Sequence, residues 1–180
     1  MSPYTPERYV EALRFAAAAH RDQRVPGTEL PYLVHVVSVA AEVVAALPPR
    51  YDPAHDLAVQ CALLHDTVED TDRTVDDVAA AFGDDVARGV DALSKRPHLP
   101  KPDQMDDSLA RILACPAPIG WVKLADRVTN LDAPPHYWDR DKRIAYRAEA
   151  GRILDRLGHT SEPLAARLRA RIAAYEAFVR

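Results

Sequence analysis

The feature that most constrains this chain is an apolar run that ends abruptly in charge. Ala58-Val59-Gln60-Cys61-Ala62-Leu63-Leu64 has a single polar side chain in two helical turns. A helix with so little polar surface has no solvent face and must lie inside the protein. His65-Asp66-Thr67-Val68-Glu69-Asp70-Thr71-Asp72 follows directly. A buried helix therefore delivers a histidine and several carboxylates to one end. Carboxylates gathered at a helix C-terminus repel one another, and the macrodipole adds to the repulsion. A bound cation relieves this conflict most simply. If the helix persists past its predicted span of 53–67, His65 lies over Glu69 and Asp66 over Asp70.

The remainder of the chain also reads as helix. Glycine is scarce, 6 residues in 180, and no convincing period-2 pattern longer than a few residues occurs. Tyr32–Val39 is rich in β-branched residues but continues without a break to Leu47, a length that favours helix. Thr5-Pro6 and Asp52-Pro53 read as N-caps followed by proline at the first helical position. Thr74 caps another helix that Gly83 ends, and Ser161 opens the last one with Pro163 in its first turn. The predicted helices cover 6–21, 34–47, 53–67, 75–82, 85–93, 103–114, 118–131, 140–157 and 162–179. A turn-rich loop at 25–31, the segment 97–102 and Ala133-Pro134-Pro135 lie between them. With no repeat and no long linker, the expectation is an all-α fold with residues 1–180 as a single domain.

Charge and targeting signals narrow the function classes. The chain carries 23 basic and 27 acidic residues, a net charge of -4, which does not fit a protein held on a nucleic acid polymer by bulk positive charge. No apolar run approaches the ~20 residues that span a bilayer, so no membrane partner is expected. Met1–Arg8 lacks the pattern of a signal peptide. Cys61 and Cys115 are read as separate thiols in a reducing compartment, and a cytoplasmic location is expected. The oligomeric state is left open.

Two more segments place single polar residues in apolar helices. Val34-His35-Val36-Val37-Ser38-Val39 carries a histidine, and Trp121-Val122-Lys123-Leu124-Ala125-Asp126-Arg127-Val128 an aspartate between two bases. His35, the His65-Asp66 doublet and Asp126 together make a mixed nitrogen and oxygen donor set. Such a set suits Mn, Fe, Co or Zn and lacks the thiolates of a structural zinc site. Filling only part of an octahedron, it leaves room for water and substrate. His20 is read as structural, and His55, His98, His136 and His159 receive no site role.

Four segments in this order resemble the HD-superfamily phosphohydrolases, in particular the hydrolase domain of Rel/Spo-type alarmone enzymes and the stand-alone small alarmone hydrolases. They are His20-Arg21-Asp22-Gln23-Arg24, Pro31-Tyr32-Leu33-Val34-His35, Ala62–Thr71 with its His65-Asp66 and Glu69-Asp70, and Val122-Lys123-Leu124-Ala125-Asp126-Arg127 with Asn130-Leu131. The resemblance runs from about residue 10 to about residue 160. It implies a single HD-type helical bundle with one Mn²⁺, other divalent transition metals being possible, held by His35, His65, Asp66 and Asp126. Glu69 and Asp70 map onto the family's catalytic acids. Arg24, Lys95, Asn130 and Tyr146 are the expected substrate contacts, Arg24 by laying its guanidinium on a purine. Lys95 or Lys123 would help neutralise phosphoryl oxygens. The implied reaction removes the 3′-pyrophosphate of guanosine 3′,5′-bis(diphosphate) or its pentaphosphate analogue. The partner is thus a small phosphorylated nucleotide. Val25, Asp132 and Ala133 depart from residues common in relatives, and 102–114 is poor in bases, which weakens the positive field around such a substrate. Two other readings stand beside this one. The same chemistry could serve another nucleotide, such as an adenine alarmone, the 2′-phosphate of NADPH or a nucleoside monophosphate; or the chain could sense a nucleotide without turnover.

Overall fold

The computed structural model describes residues 2–180. The chain forms α1 (Pro6–Ala19), α2 (Leu33–Ala46), α3 (Pro53–Leu64), a one-turn α4 (Thr67–Asp70), α5 (Val75–Phe82), α6 (Asp84–Leu93), α7 (Lys101–Leu113), α8 (Ala117–Asn130), α9 (Arg140–Leu157) and α10 (Glu162–Ala174). Among the described residues the only β-type pairing is an isolated antiparallel bridge between Arg24 and Pro31. The all-α expectation holds. No helix among the described residues is long and apolar enough to cross a membrane.

The apolar run does form the centre. Every residue from Ala58 to Leu64 is buried, and α3 is packed by α1, α2, α6 and α8. α2 turns Val36, Val39, Ala40 and Val43 inward, and α8 turns Val122, Leu124, Ala125 and Val128 inward. These two helices also pack on each other. Three helices with apolar stripes therefore meet lengthwise, and a polar residue within any stripe is forced into their shared interior. α9 and α10 cover the outer side of α8.

Some predicted caps work as read, and others have different partners. Asp52 accepts the Ala54 amide at 2.8 Å. Thr74 and Asp77 form a reciprocal capping box, with bonds of 3.1 and 2.8 Å. Gly83 ends α5 at φ +87°, the left-handed region that favours glycine. Thr5, however, donates both its amide and its hydroxyl to Asp56, at 2.6 and 2.8 Å, tying the start of α1 to the first turn of α3. Ser161 makes no side-chain cap bond. The last helix stops at Ala174 and tightens into a 3₁₀ turn over Tyr175–Phe178.

One difference concerns the site itself. The helix predicted over 53–67 ends at Leu64; His65 and Asp66 form a turn, and α4 restarts at Thr67. His65 Nδ1–H donates to the Ala62 carbonyl at 2.9 Å, a local side-chain bond of the kind that competes with helix continuation. Beyond the turn the Asp70 amide still bonds to the Asp66 carbonyl at 2.9 Å. Glu69 turns to Lys95, and Asp70 to Gln23.

Candidate metal centre

Three helices each contribute one buried donor. α2 supplies His35, the end of α3 supplies His65 and α8 supplies Asp126, and one ligand atom from each lies within 4.8 Å of the others. The two Nε2 atoms are 3.3 Å apart. Asp126 Oδ1 is 3.5 Å from His35 Nε2 and 3.7 Å from His65 Nε2. The Ala62 carbonyl holds the His65 proton on Nδ1 and leaves Nε2 facing the cluster, an outer contact that orients metal-binding histidines in general. Asp126 is held from two sides. Lys123 Nζ donates to Oδ2 at 3.1 Å, and Asn130 Nδ2 donates to Oδ1. Two imidazole nitrogens and a carboxylate, buried together without a thiolate, fit a divalent transition ion.

Asp66 stands beside this group. Its Oδ2 lies 3.0 Å from His65 Nε2 and 3.4 Å from His35 Nε2, and accepts the Tyr32 hydroxyl at 2.5 Å. The charges are strongly interdependent. Burial opposes the imidazolium form of His65, but the Asp66 charge and hydrogen bonds to Asp126 and Asp66 outweigh it, and the ring is held well above its ordinary value. His35 is raised likewise, burial being outweighed by hydrogen bonds to Asp126 and Asp66. Burial disfavours the charged form of Asp126, yet Lys123 and the two histidines hold it well below the usual carboxylate range. Burial is overcome at Asp66 in the same way, by His65 and His35. The pocket thus stabilises two negative carboxylates by collecting positive charge, a task that an ion of higher charge performs better.

The two candidate acids diverge from the cluster. Glu69 Oε2 accepts the Lys95 amide at 2.8 Å, and its Oε1 lies 3.3 Å from Lys95 Nζ. Asp70 Oδ2 accepts from Gln23 Nε2 at 3.5 Å. Burial, then the neighbouring Asp66 and Glu69, push the Asp70 carboxyl up. Lys95, an expected substrate contact, is engaged with Glu69. Lys123 is buried and engaged with Asp126. Arg24 is exposed on the 23–32 loop, whose ends are joined by Val25 N–H to Leu30 O and Tyr32 N–H to Gln23 O, both 2.9 Å. Asn130 touches Asp126 directly. Tyr146, on α9, lies under the Arg127 guanidinium at 4.2 Å, and Arg127 is in turn tied to Glu149 at 2.6 Å.

Sequence reasoning gave no role to Tyr32 or Gln23 and placed Lys123 on phosphoryl oxygens, whereas its Nζ is buried on Asp126. Tyr32 sits one turn before His35 and Lys123 one turn before Asp126, so their spacing carried a usable signal. Gln23 reaches Asp70 across 47 positions, which no local pattern reveals. His20, read as structural, pairs its Nδ1 with Gln23 at 2.7 Å and packs its ring on Tyr32, while its buried Nε2 has no partner among the described residues.

A family model described as HD domain matches residues 12–168. The chain belongs to the HD-domain family. A relative in Danio rerio, guanosine-3′,5′-bis(diphosphate) 3′-pyrophosphohydrolase MESH1, is 32% identical over 88% of this chain and 89% of its own length. The Vibrio cholerae guanosine-3′,5′-bis(diphosphate) 3′-pyrophosphohydrolase is 38% identical over 71% of this chain, which spans 19% of that protein. A solved structure described as a metazoan ortholog of SpoT that hydrolyzes ppGpp superposes with a TM-score of 0.80. It is 30% identical and covers 93% of this chain and 94% of its own. Similarity of this extent makes the chain an HD-domain hydrolase.

Proposed function

We propose that this protein is a divalent-metal-dependent phosphohydrolase that removes the 3′-pyrophosphate of guanosine 3′,5′-bis(diphosphate) and its pentaphosphate analogue. The observation that carries the reading is the meeting of His35, His65 and Asp126, in a chain similar over most of its length to proteins of that name. The reading takes residues 1–180 as one cytoplasmic domain, with Mn²⁺ as the preferred ion and Asp66 as a fourth ligand to His35, His65 and Asp126. The ion supplies concentrated positive charge that acidifies water and neutralises phosphoryl oxygens.

The chain's own residues supply the rest. Water adds to the phosphorus on ribose O3′, the P–O3′ bond breaks, and the ribose oxygen leaves with a proton as pyrophosphate is released. Asp70 is the better acceptor for the water proton. Among the described residues no cation pairs with it within 4.0 Å, and its raised pKa strengthens it as a base. Glu69, fastened through Lys95, holds the far edge of the site. Asn130 keeps Asp126 aimed inward and reaches toward the ribose. Arg24 offers a flat guanidinium to the purine, a contact lysine does not reproduce, and Tyr146 closes the α9 side.

Product chromatography tests this reading. With Mn²⁺, the protein is expected to convert the substrate to GDP and pyrophosphate and to show chelator-sensitive turnover. Release of orthophosphate alone, from NADPH or a nucleoside monophosphate, would replace this reading with the second one.

A further inference from the structure

A buried histidine and a glutamine between α1 and α2 have no task in the reaction above. His20 closes α1, its amide bonded to the Ala16 carbonyl at 2.9 Å. Its ring is 3% exposed and packs on Tyr32, with the centroids 4.9 Å apart. The backbone of Gln23 is fixed from both sides. Its N–H donates to the His20 carbonyl at 3.0 Å, and its carbonyl accepts the Tyr32 N–H at 2.9 Å. The Gln23 side chain joins two partners: Oε1 lies 2.7 Å from His20 Nδ1, and Nε2 faces Asp70 Oδ2 at 3.5 Å. Elementary chemistry sets the direction of that amide. A carboxylate only accepts, so Gln23 turns its NH₂ to Asp70 and its oxygen to His20. An amide oxygen also only accepts, so His20 carries its proton on Nδ1. The same tautomer accounts for the buried His20 Nε2, which has no partner among the described residues. In this form Nε2 bears no hydrogen that needs an acceptor.

We propose that Gln23 is the positioning residue for Asp70 and that His20 sets the direction of Gln23, so that the three side chains aim the carboxylate that accepts the water proton. The proposal rests on the phosphohydrolase reading above and deepens it. Asp70 ends the one-turn α4, and the chain turns extended at Thr71, so its own helix supports it little. Tyr32, the neighbouring hydroxyl, gives its hydrogen to Asp66. Gln23 reaches Asp70 from a loop whose backbone is pinned at both ends. A neutral amide suits this task. It holds one carboxylate oxygen and leaves the other free, without the positive charge by which arginine or lysine would lower the pKa of the base. A catalytic group has to be held closely, because misplacement by about 1 Å costs roughly 100-fold in rate. Long contacts to a catalytic base are common before substrate binds and tighten in the reacting complex.

The test uses the full-length, Mn²⁺-loaded protein and guanosine 3′,5′-bis(diphosphate). Q23A is expected to lower kcat by about 10- to 100-fold, with KM and manganese stoichiometry unchanged. A merely structural role in the loop would raise KM instead, because Arg24 is the next residue. H20L should lower kcat in the same way. H20N places an amide NH₂ where Nδ1–H was and should recover most of the loss, whereas H20Q places it at Nε2 and should not. Equal activity of the three His20 variants overturns the proposal. In a D70N background Q23A should cost nothing further, because the group it aims is gone; a full additional loss overturns the proposal. Nitrogen NMR of the metal-free protein gives a readout apart from turnover: the His20 proton is expected on Nδ1, and a proton on Nε2 overturns the proposal. A protein that releases orthophosphate from another ester, and no pyrophosphate, would sink the substrate reading. The same kcat loss in Q23A on that ester would then uphold Gln23, and an unchanged kcat would overturn it as well.

Discussion

The decisive residues are few, and each has a separable task. Glu69 and Asp70 lie outside the His35, His65 and Asp126 donor group, so removing either should leave metal content intact. Asp70→Asn is expected to lower kcat by about 10²–10⁴-fold, the usual contribution of a positioned base, with manganese stoichiometry unchanged by elemental analysis. Glu69→Gln loses the ionic partner of Lys95 and should act more on KM. A pH experiment addresses the histidines. Both have pKa values raised from 6.5 in the metal-free fold, where they share protons with Asp66 and Asp126. A raised folded value means that their stabilising contribution is present below pH 6.5 and is lost as pH climbs through the folded values. Asp66 and Asp126, lowered from 3.8, stabilise above that value and lose this contribution as pH falls through their folded values. The metal-free protein should therefore be most stable between these limits and melt lower as pH rises past the histidine values. An ion must displace the histidine protons, so binding should release protons at neutral pH. Calorimetry in two buffers of different ionisation heat reads that release directly; an identical heat in both would refute it.

At the scale of elements, the site depends on how closely α3, α6 and α8 approach. Gly89 of α6 marks the tightest place. A Cβ there would lie 2.6 Å from Ile119 Cδ1 and 2.8 Å from Cys61 Sγ. Gly89→Ala gains helix propensity of about 1 kcal/mol but overpacks the contact, at a cost of about 1–3 kcal/mol. The expected net result is a lower urea midpoint with an unchanged slope. Ile119→Val, by shortening the obstructing side chain, should recover part of the loss in the double variant, and additive losses would show that the two positions do not meet. Metal binding should be unaffected, because neither residue belongs to the ion-facing group. The break between α3 and α4 is the other element-level device: beyond it Glu69 is engaged by Lys95 and Asp70 by Gln23.

At the scale of the molecule, an ion at the centre joins three helices distant in sequence, so loading it should stabilise the whole fold. An ion at 100 times its dissociation constant adds about 2.7 kcal/mol. In a chain of this size each kcal/mol raises Tm by about 2–4 °C, so a rise of roughly 5–10 °C is expected on adding Mn²⁺ to chelated protein. Asp126→Asn should keep its helical circular dichroism and lose the rise. A variant that kept the full shift would remove Asp126 from the donor set.

Much of this protein was legible one residue at a time. The uninterrupted apolar run marked α3 as central, because a helix without a polar face has only one place to go. Histidine or aspartate isolated in the stripes of α2 and α8 marked the remaining donors, because a buried polar group needs a reason. Helix starts with Asp52 and Thr74 followed from short-range hydrogen bonding, which depends on neighbours in the chain. The tertiary structure alone decided the rest. It sent Thr5 to Asp56, Gln23 to Asp70 and Glu69 to Lys95. Such pairings depend on where packed helices bring side chains tens of positions apart, and no local periodicity encodes that distance.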